Sequence, residues 1–214
     1  MGRRSLPKFD PQVDISRHHF ELTTLPEAFQ LTPLFARPEL PLAVEVGSGK
    51  GLFMASASRA YPDHNFLGIE IAGKYARFAA VKLARENRTN AVMFHGDARL
   101  LFAQRLATEQ CAAVHVYFPD PWWKKRHLRR RIMNDSFVRE IERVLKPGGT
   151  LHFWTDVEDY FHAALETLAA HTKLSGPHDV PELLPEHDLD YRTHFERRMR
   201  LHEIRVWRAE FTKA

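Results

Sequence analysis

From residue 41 onward, short apolar runs alternate with longer stretches whose apolar residues recur at helical spacing. LAVEV (42–46), NFLGIEI (65–71), AVMFHG (91–96), AAVHVYF (112–118) and TLHFWT (150–155) have the length and the β-branched or aromatic content of buried strands. Each precedes a helical stretch: GLFMASASRA, GKYARFAAVKLARENR, DARLLFAQRLA, NDSFVREIERVL and DVEDYFHAALETLAAH. Phe137, Ile141, Val144 and Leu145 form one helical stripe, and Val157, Tyr160, Phe161, Ala164, Leu165 and Leu168 form another. Thr155 and Glu158 have capping-box spacing and predict where the last helix starts. The tail LHEIRVWRAEF (201–211) alternates and predicts a final antiparallel strand. Strands alternating with helices predict an α/β fold, a mostly parallel sheet with helices on both faces. Residues 1–40 hold five prolines among mixed charges and predict a partly extended N-terminal arm; residues 41–214 form the domain.

Composition narrows the class. The chain has 214 residues, 44% apolar and 27% charged, which suits one globular domain. Its single cysteine, Cys111, excludes a disulfide framework and reads as a small buried residue at a strand start. The N-terminus lacks the apolar core of a signal peptide, and no run approaches the roughly 18 apolar residues of a membrane span. The expected location is the cytoplasm, with no metal and no obligate protein partner. The net charge of +4 is modest but unevenly placed, which points to an anionic partner such as nucleic acid.

The first strand runs into Glu45-Val46-Gly47-Ser48-Gly49-Lys50-Gly51. Such a turn lies beyond the carboxyl end of a strand, where ligands of open α/β sheets bind. A phosphate-binding loop would need Ser or Thr after the lysine, and a dinucleotide turn would need its third glycine one residue later. Gly47, Gly49 and Gly51 suit a nucleoside without a pyrophosphate. Glu45 would repel phosphate but can receive an ammonium group. Glu70, at the end of the next strand, can take the hydroxyls of a ribose, and Asp97, after the third strand, can accept from an adenine amine. S-adenosylmethionine carries a ribose, an adenine, an ammonium and a sulfonium, and no phosphate. Each acid, taken alone, also reads as a solvated strand end or a helix cap.

The fourth strand runs into Phe118-Pro119-Asp120-Pro121-Trp122-Trp123, then Lys124, Lys125, Arg126, His127, Arg129, Arg130 and Arg131, with no acid after Asp120. The two prolines fix the backbone on either side of Asp120. A run of one sign follows a phosphate backbone better than a solvated helix face does, and neighbouring aromatics can stack on exposed bases. Arg192, Arg197, Arg198, Arg200, Arg205 and Arg208 make a second basic cluster.

With these residues in view, the chain resembles the tRNA (guanine-N7-)-methyltransferase family of the bacterial TrmB type. VEVGSGKG, Gly96-Asp97-Ala98, FPDPWWKKRH, Thr155-Asp156 and Thr193-His194-Phe195-Glu196 match its motifs in order, from about residue 40 to the end. Trp123 departs from the pattern, which often has proline there. The resemblance implies a Rossmann-like S-adenosylmethionine-dependent methyltransferase fold with a seven-stranded sheet. It implies cofactor contacts at Glu45, Glu70, Asp97 and Asp120, beside the glycine turn, and Asp120 as the catalytic residue. It implies substrate contacts at Lys124, Asp156, Thr193, His194, Phe195 and Glu196, and RNA along Arg126, His127, Arg129, Arg130 and Arg131. The implied reaction is methylation of guanine N7 at tRNA position 46, in the variable loop. The alternatives are a methyltransferase for another RNA or a small molecule, and a non-catalytic RNA-binding subunit. The intact glycine turn weighs against the last.

Overall fold

The computed structural model describes residues 12–180, Thr193, Glu196, Met199, Leu201, His202 and 204–214, with the backbone alone for Lys125. The strands are β1 (His19–Glu21), β2 (Leu42–Val46), β3 (Asn65–Glu70), β4 (Ala91–His95), β5 (Cys111–Tyr117), β6 (Leu145–Thr155), β7 (Ser175–His178) and β8 (Trp207–Thr212). The helices are α1 (Leu52–Ala60), α2 (Gly73–Arg85), α3 (Ala98–Arg105), α4 (Asp135–Val144) and α5 (Glu158–His171). One sheet holds all the strands in the order β1-β4-β3-β2-β5-β6-β8-β7. β1 to β6 run parallel, β8 is antiparallel to β6, and β7 is antiparallel to β8.

Eight strands are present among the described residues where seven are expected. β1 comes from the stretch read as an arm and pairs with β4, Phe20 opposite Phe94. Leu22, Leu31 and Phe35 from the same stretch enter the core. The capping box at the start of α5 does not form. Thr155 is fully buried as the last residue of β6, and its hydroxyl accepts the Val157 N–H at 3.2 Å.

Both faces of the sheet are covered, as a parallel sheet requires. One face is apolar throughout: Val44, Val46, Leu67, Ile69, Val114, Val116, Leu151 and Phe153 pack under α3, α4 and α5. Phe137 and Ile141 of α4 and Tyr160, Phe161 and Ala164 of α5 supply the facing stripes. The opposite face lies under α1 and α2 and carries a polar rung. Gly68, Glu45, His115, His152 and Glu210 stand directly opposite one another on successive strands. The His115 and His152 rings stack at 4.5 Å, and His152 Nδ1 lies 2.8 Å from Glu210.

β2 sits at the centre. The chain leaves it first toward β3 and β4, then returns to lay β5 and β6 on its other side. This reversal opens a crevice between the carboxyl ends of β2 and β5. Gly51 closes the turn at the top of β2 with φ +67°, and a Cβ there would stand 2.5 Å from Ala79 Cβ of α2. Gly51→Ala should therefore cost about 2–4 kcal/mol through overpacking and left-handed strain. Denaturant unfolding monitored by circular dichroism tests this, and an unchanged midpoint would contradict it.

Candidate active site

The carboxyl ends of five parallel strands gather the predicted acids. Val46 of β2 leads into the glycine turn, where Gly47 and Ser48 both donate their amides to the Ile69 carbonyl at the end of β3, at 2.8 and 3.1 Å. The turn is thereby folded back over β3. Gly49 sits at φ +52°, and a Cβ there would meet the Gly47 carbonyl oxygen at 4.0 Å. The Gly49 amide donates to Glu70 Oε2 at 2.8 Å. Glu70 Oε1 accepts from the Ala72 amide at 2.8 Å. Two backbone donors fix this carboxylate, and each oxygen keeps a lone pair for a further hydroxyl.

Glu45 is 3% exposed, and its Oε2 has no hydrogen-bond partner among the described residues. Burial, with the Glu70 charge adding to it, pushes the Glu45 carboxyl up to about 8; a contact with Ser48 opposes the rise. A buried carboxyl with an unpartnered oxygen is suited to a cationic ligand.

Asp97 caps α3. Its side chain accepts the Arg99 amide at 2.9 Å and ion-pairs with the Arg99 guanidinium at 2.5 Å. These contacts hold the Asp97 carboxyl below its ordinary range, the Arg99 side-chain hydrogen bond most of all. An adenine amine therefore has to share or displace Arg99. Ile71, directly after Glu70, is 69% exposed. This apolar surface, which the sequence reading passed over, suits the face of a base. The turn, the unpartnered Glu45 oxygen, the tethered Glu70 and bare Ile71 together fit the adenosine and amino-acid parts of S-adenosylmethionine. Glu45, Glu70 and Asp97 would hold it.

Across the crevice, Asp120 is exposed beyond the end of β5. The turn that carries it is bracketed by two aromatics in the left-handed region, Phe118 at φ +50° and Trp122 at φ +44°. Each such residue costs about 1–3 kcal/mol and persists only where its surroundings fix it. Phe118 is tied by its amide to the Trp154 carbonyl at 2.8 Å. Trp122 lies under the Arg130 guanidinium at 5.0 Å and meets the His127 ring edge-on at 5.8 Å.

Beyond the turn, Lys125–Arg130 forms a 3-10 segment. Lys124, Arg126 and Arg129 are exposed, with His127 half-buried between them. Trp123 is 69% exposed, an open apolar face beside those cations. Arg131 behaves differently: its Nε donates to the Pro121 carbonyl at 2.8 Å, and its guanidinium lies 4.4 Å from the Tyr160 ring.

Asp156 is half-buried at the end of β6. Thr193 accepts the Glu196 amide at 2.9 Å, and Glu196 lies buried with its Oε1 3.8 Å from Arg208. His194 and Phe195 lie outside the described residues, as do Arg192, Arg197, Arg198 and Arg200. Arg208, read as part of the second basic cluster, is half-buried with its guanidinium 5.0 Å over Trp154; Arg205 is exposed and lies 3.8 Å over Trp207.

Comparison with known proteins bears on this arrangement. Residues 39–209 match the family model described as "Putative methyltransferase". A tRNA (guanine-N(7)-)-methyltransferase of Rhodopirellula baltica is 45% identical over 100% of this chain and 80% of its own length. The crystal structure of the 16S rRNA methyltransferase KamB superposes with a TM-score of 0.60 at 18% identity, covering 81% of this chain and 88% of that one. A 16S rRNA (adenine(1408)-N(1))-methyltransferase from Catenulisporales acidiphilia, solved with its cosubstrate SAM, gives a TM-score of 0.55 at 17% identity, covering 81% and 86%. At such identities the two structures speak for the fold alone.

Glu45 also gives a stability signature. A carboxyl raised on folding binds its proton more tightly in the folded chain. Its contribution is full below the ordinary carboxylate range, declines as pH rises, and is gone once pH passes about 8. Glu45→Gln should remove that decline. Melting of the ligand-free protein and the variant between pH 5 and pH 9 checks it, and parallel curves across the range would contradict the assignment.

Proposed function

This chain belongs to the tRNA (guanine-N(7)-)-methyltransferase family and is an S-adenosylmethionine-dependent methyltransferase of that type; we propose that it methylates guanine N7 at position 46 of the tRNA variable loop, with Asp120 as the catalytic residue. The observation that carries the reading is the turn at Asp120, an exposed carboxylate beyond β5, beside the glycine turn of β2, held between two left-handed aromatics and followed by cations of one sign.

Bound S-adenosylmethionine supplies an electrophilic methyl on a sulfonium, which becomes a neutral thioether when the methyl leaves. Guanine N7 offers an unprotonated lone pair, so no proton has to be removed before it forms the new N–C bond. What the chain must provide is orientation and an answer to the charge that grows on the purine ring. A carboxylate with little freedom, facing that ring, stabilises the charge where it appears. Asp120 fills this role, and its oxygens also accept from guanine N1–H or the exocyclic amine, which selects guanine over adenine. Asp156 and Glu196 are further acceptors for the same edge. Thr193 assists by capping the turn at Glu196. Lys124 and the exposed Arg126, Arg129 and Arg130 receive the phosphates, with Trp123 as a stacking face.

Incubation with labelled S-adenosylmethionine and bulk tRNA, followed by nuclease digestion, should place the label in 7-methylguanosine at position 46. Label at another nucleoside or another position would overturn the assignment. Asp120→Asn should fold and bind cofactor normally yet lose on the order of a hundredfold or more in turnover. Near-native turnover would reduce Asp120 to a turn residue.

Arg126→Gln with Arg129→Gln should weaken tRNA binding and lower the slope of log affinity against log salt by roughly 0.7–0.9 for each lost phosphate contact. Cofactor binding should not change. An unaltered slope would make these cations a solvated face.

A further inference from the structure

Arg131 closes the basic run in sequence, but its side chain does not join the exposed cations in space. It is half-buried and turned inward. Its Nε–H donates to the carbonyl of Pro121, the residue after Asp120, at 2.8 Å. Its guanidinium lies 4.4 Å from the ring of Tyr160, which is 1% exposed in α5. That ring is itself anchored, since the Tyr160 hydroxyl accepts the Met133 amide at 3.2 Å. The backbone of Arg131 is held as well: its amide donates to Leu128 O at 2.9 Å, and its carbonyl accepts from Asn134 Nδ2 at 2.9 Å. Asn134 in turn caps α4 through the Phe137 amide.

We propose that Arg131 is a positioning residue for the reaction, a strut that joins the Asp120 turn to α5 through the Pro121 carbonyl and the Tyr160 ring, and not an RNA contact. The proposal rests on the reading that Asp120 acts in catalysis. The turn needs such a strut. Trp122 follows Pro121 directly and sits at φ +44°, a conformation that a bulky residue leaves unless something outside it holds the chain. Pro121 has no N–H, so its carbonyl is the only backbone hydrogen-bonding group it offers. Arg131 takes that group. A planar guanidinium can donate in its plane and stack through its face at once, which an ammonium does not do. Asp120 and Arg131 also act on the same ring. Burial pushes the Tyr160 hydroxyl up to about 12, with the Arg131 cation opposing the rise and the Asp120 carboxylate adding to it.

The test compares Arg131→Lys and Arg131→Met with Asp120→Asn, measuring turnover at saturating tRNA and cofactor, tRNA affinity, and its salt slope. The strut predicts that both Arg131 variants lose turnover by on the order of a hundredfold, as a displaced catalytic group does. Their tRNA affinity and salt slope should match the parent. The lysine variant is the stricter arm, because it keeps the charge and most of the stem and should still fail to restore turnover. The proposal is overturned if Arg131→Met binds tRNA more weakly with a flatter slope while Arg131→Lys recovers both, which is the behaviour of a phosphate contact. It is also overturned if both variants turn over normally while Asp120→Asn does not. Near-native turnover in Asp120→Asn would instead defeat the catalytic reading itself, whatever the Arg131 variants do.

Discussion

Like charges gathered at one edge of a sheet repel, and this fold brings five carboxylates to the carboxyl ends of its parallel strands: Glu45, Glu70, Asp97, Asp120 and Asp156. Each is managed in its own way. Burial pushes the Glu45 carboxyl up to about 8, with the Glu70 charge adding to the rise. Glu70 is held by the Gly49 and Ala72 amides, and Asp97 by Arg99. Asp120 is exposed and Asp156 is half-exposed, so water screens both. A rim of this kind favours a ligand that brings positive charge. It suits a cofactor with an ammonium and a sulfonium, and then a purine that becomes cationic as the methyl arrives.

The sheet makes that rim rigid. Its aliphatic face and the three helices over it set the strand register, because a one-residue slip would turn buried valines and isoleucines into the polar layer. The other face tolerates polar groups by pairing them across strands, as in the rung from Glu45 through His115 and His152 to Glu210. At the turn that carries Asp120 local preference is overruled twice, at Phe118 and at Trp122. The turn is held from three sides, by the Trp154 carbonyl, by the Arg130–Trp122 contact, and by Arg131 on Pro121.

Much of this was legible in the chain because buried parallel strands and amphipathic helices carry strong periodicity. β2 to β5 and α1 to α5 lie where the apolar runs predicted them; β6 does too from Thr150, but it begins at Leu145, which the spacing had placed on the stripe of α4. β1 was not legible: three residues, HFE, show no alternation, and the sheet edge supplies the pairing. β7 is SGPH, exposed throughout, and depends on β8 in the same way. In the tail, alternation over 201–211 identified a strand, but the strand forms only at Trp207–Thr212, with Leu201 helical, and the alternation did not tell which set of residues faces inward. Both faces are covered there, so the Arg208 side chain packs over Trp154 and beside Glu196 while Ala209 and Phe211 fill the aliphatic side. The place of the five acids at the strand ends was legible because strand ends are easy to locate. The partners Arg99 for Asp97 and Tyr160 for Arg131 depend on side-chain direction, which spacing does not give.

The central claim is that a fixed carboxylate answers charge that appears on guanine when N7 acts as the nucleophile. Replacing N7 with carbon removes the lone pair and leaves the Watson–Crick edge and the phosphates intact. A tRNA carrying 7-deazaguanine at the single target position should bind with nearly the affinity of the unmodified tRNA, accept no methyl group, and inhibit competitively against it. Methylation of that nucleoside would show that another atom is attacked. Loss of binding would show that the base is held chiefly through N7 and not by the carboxylates at its opposite edge. Either result would contradict the account.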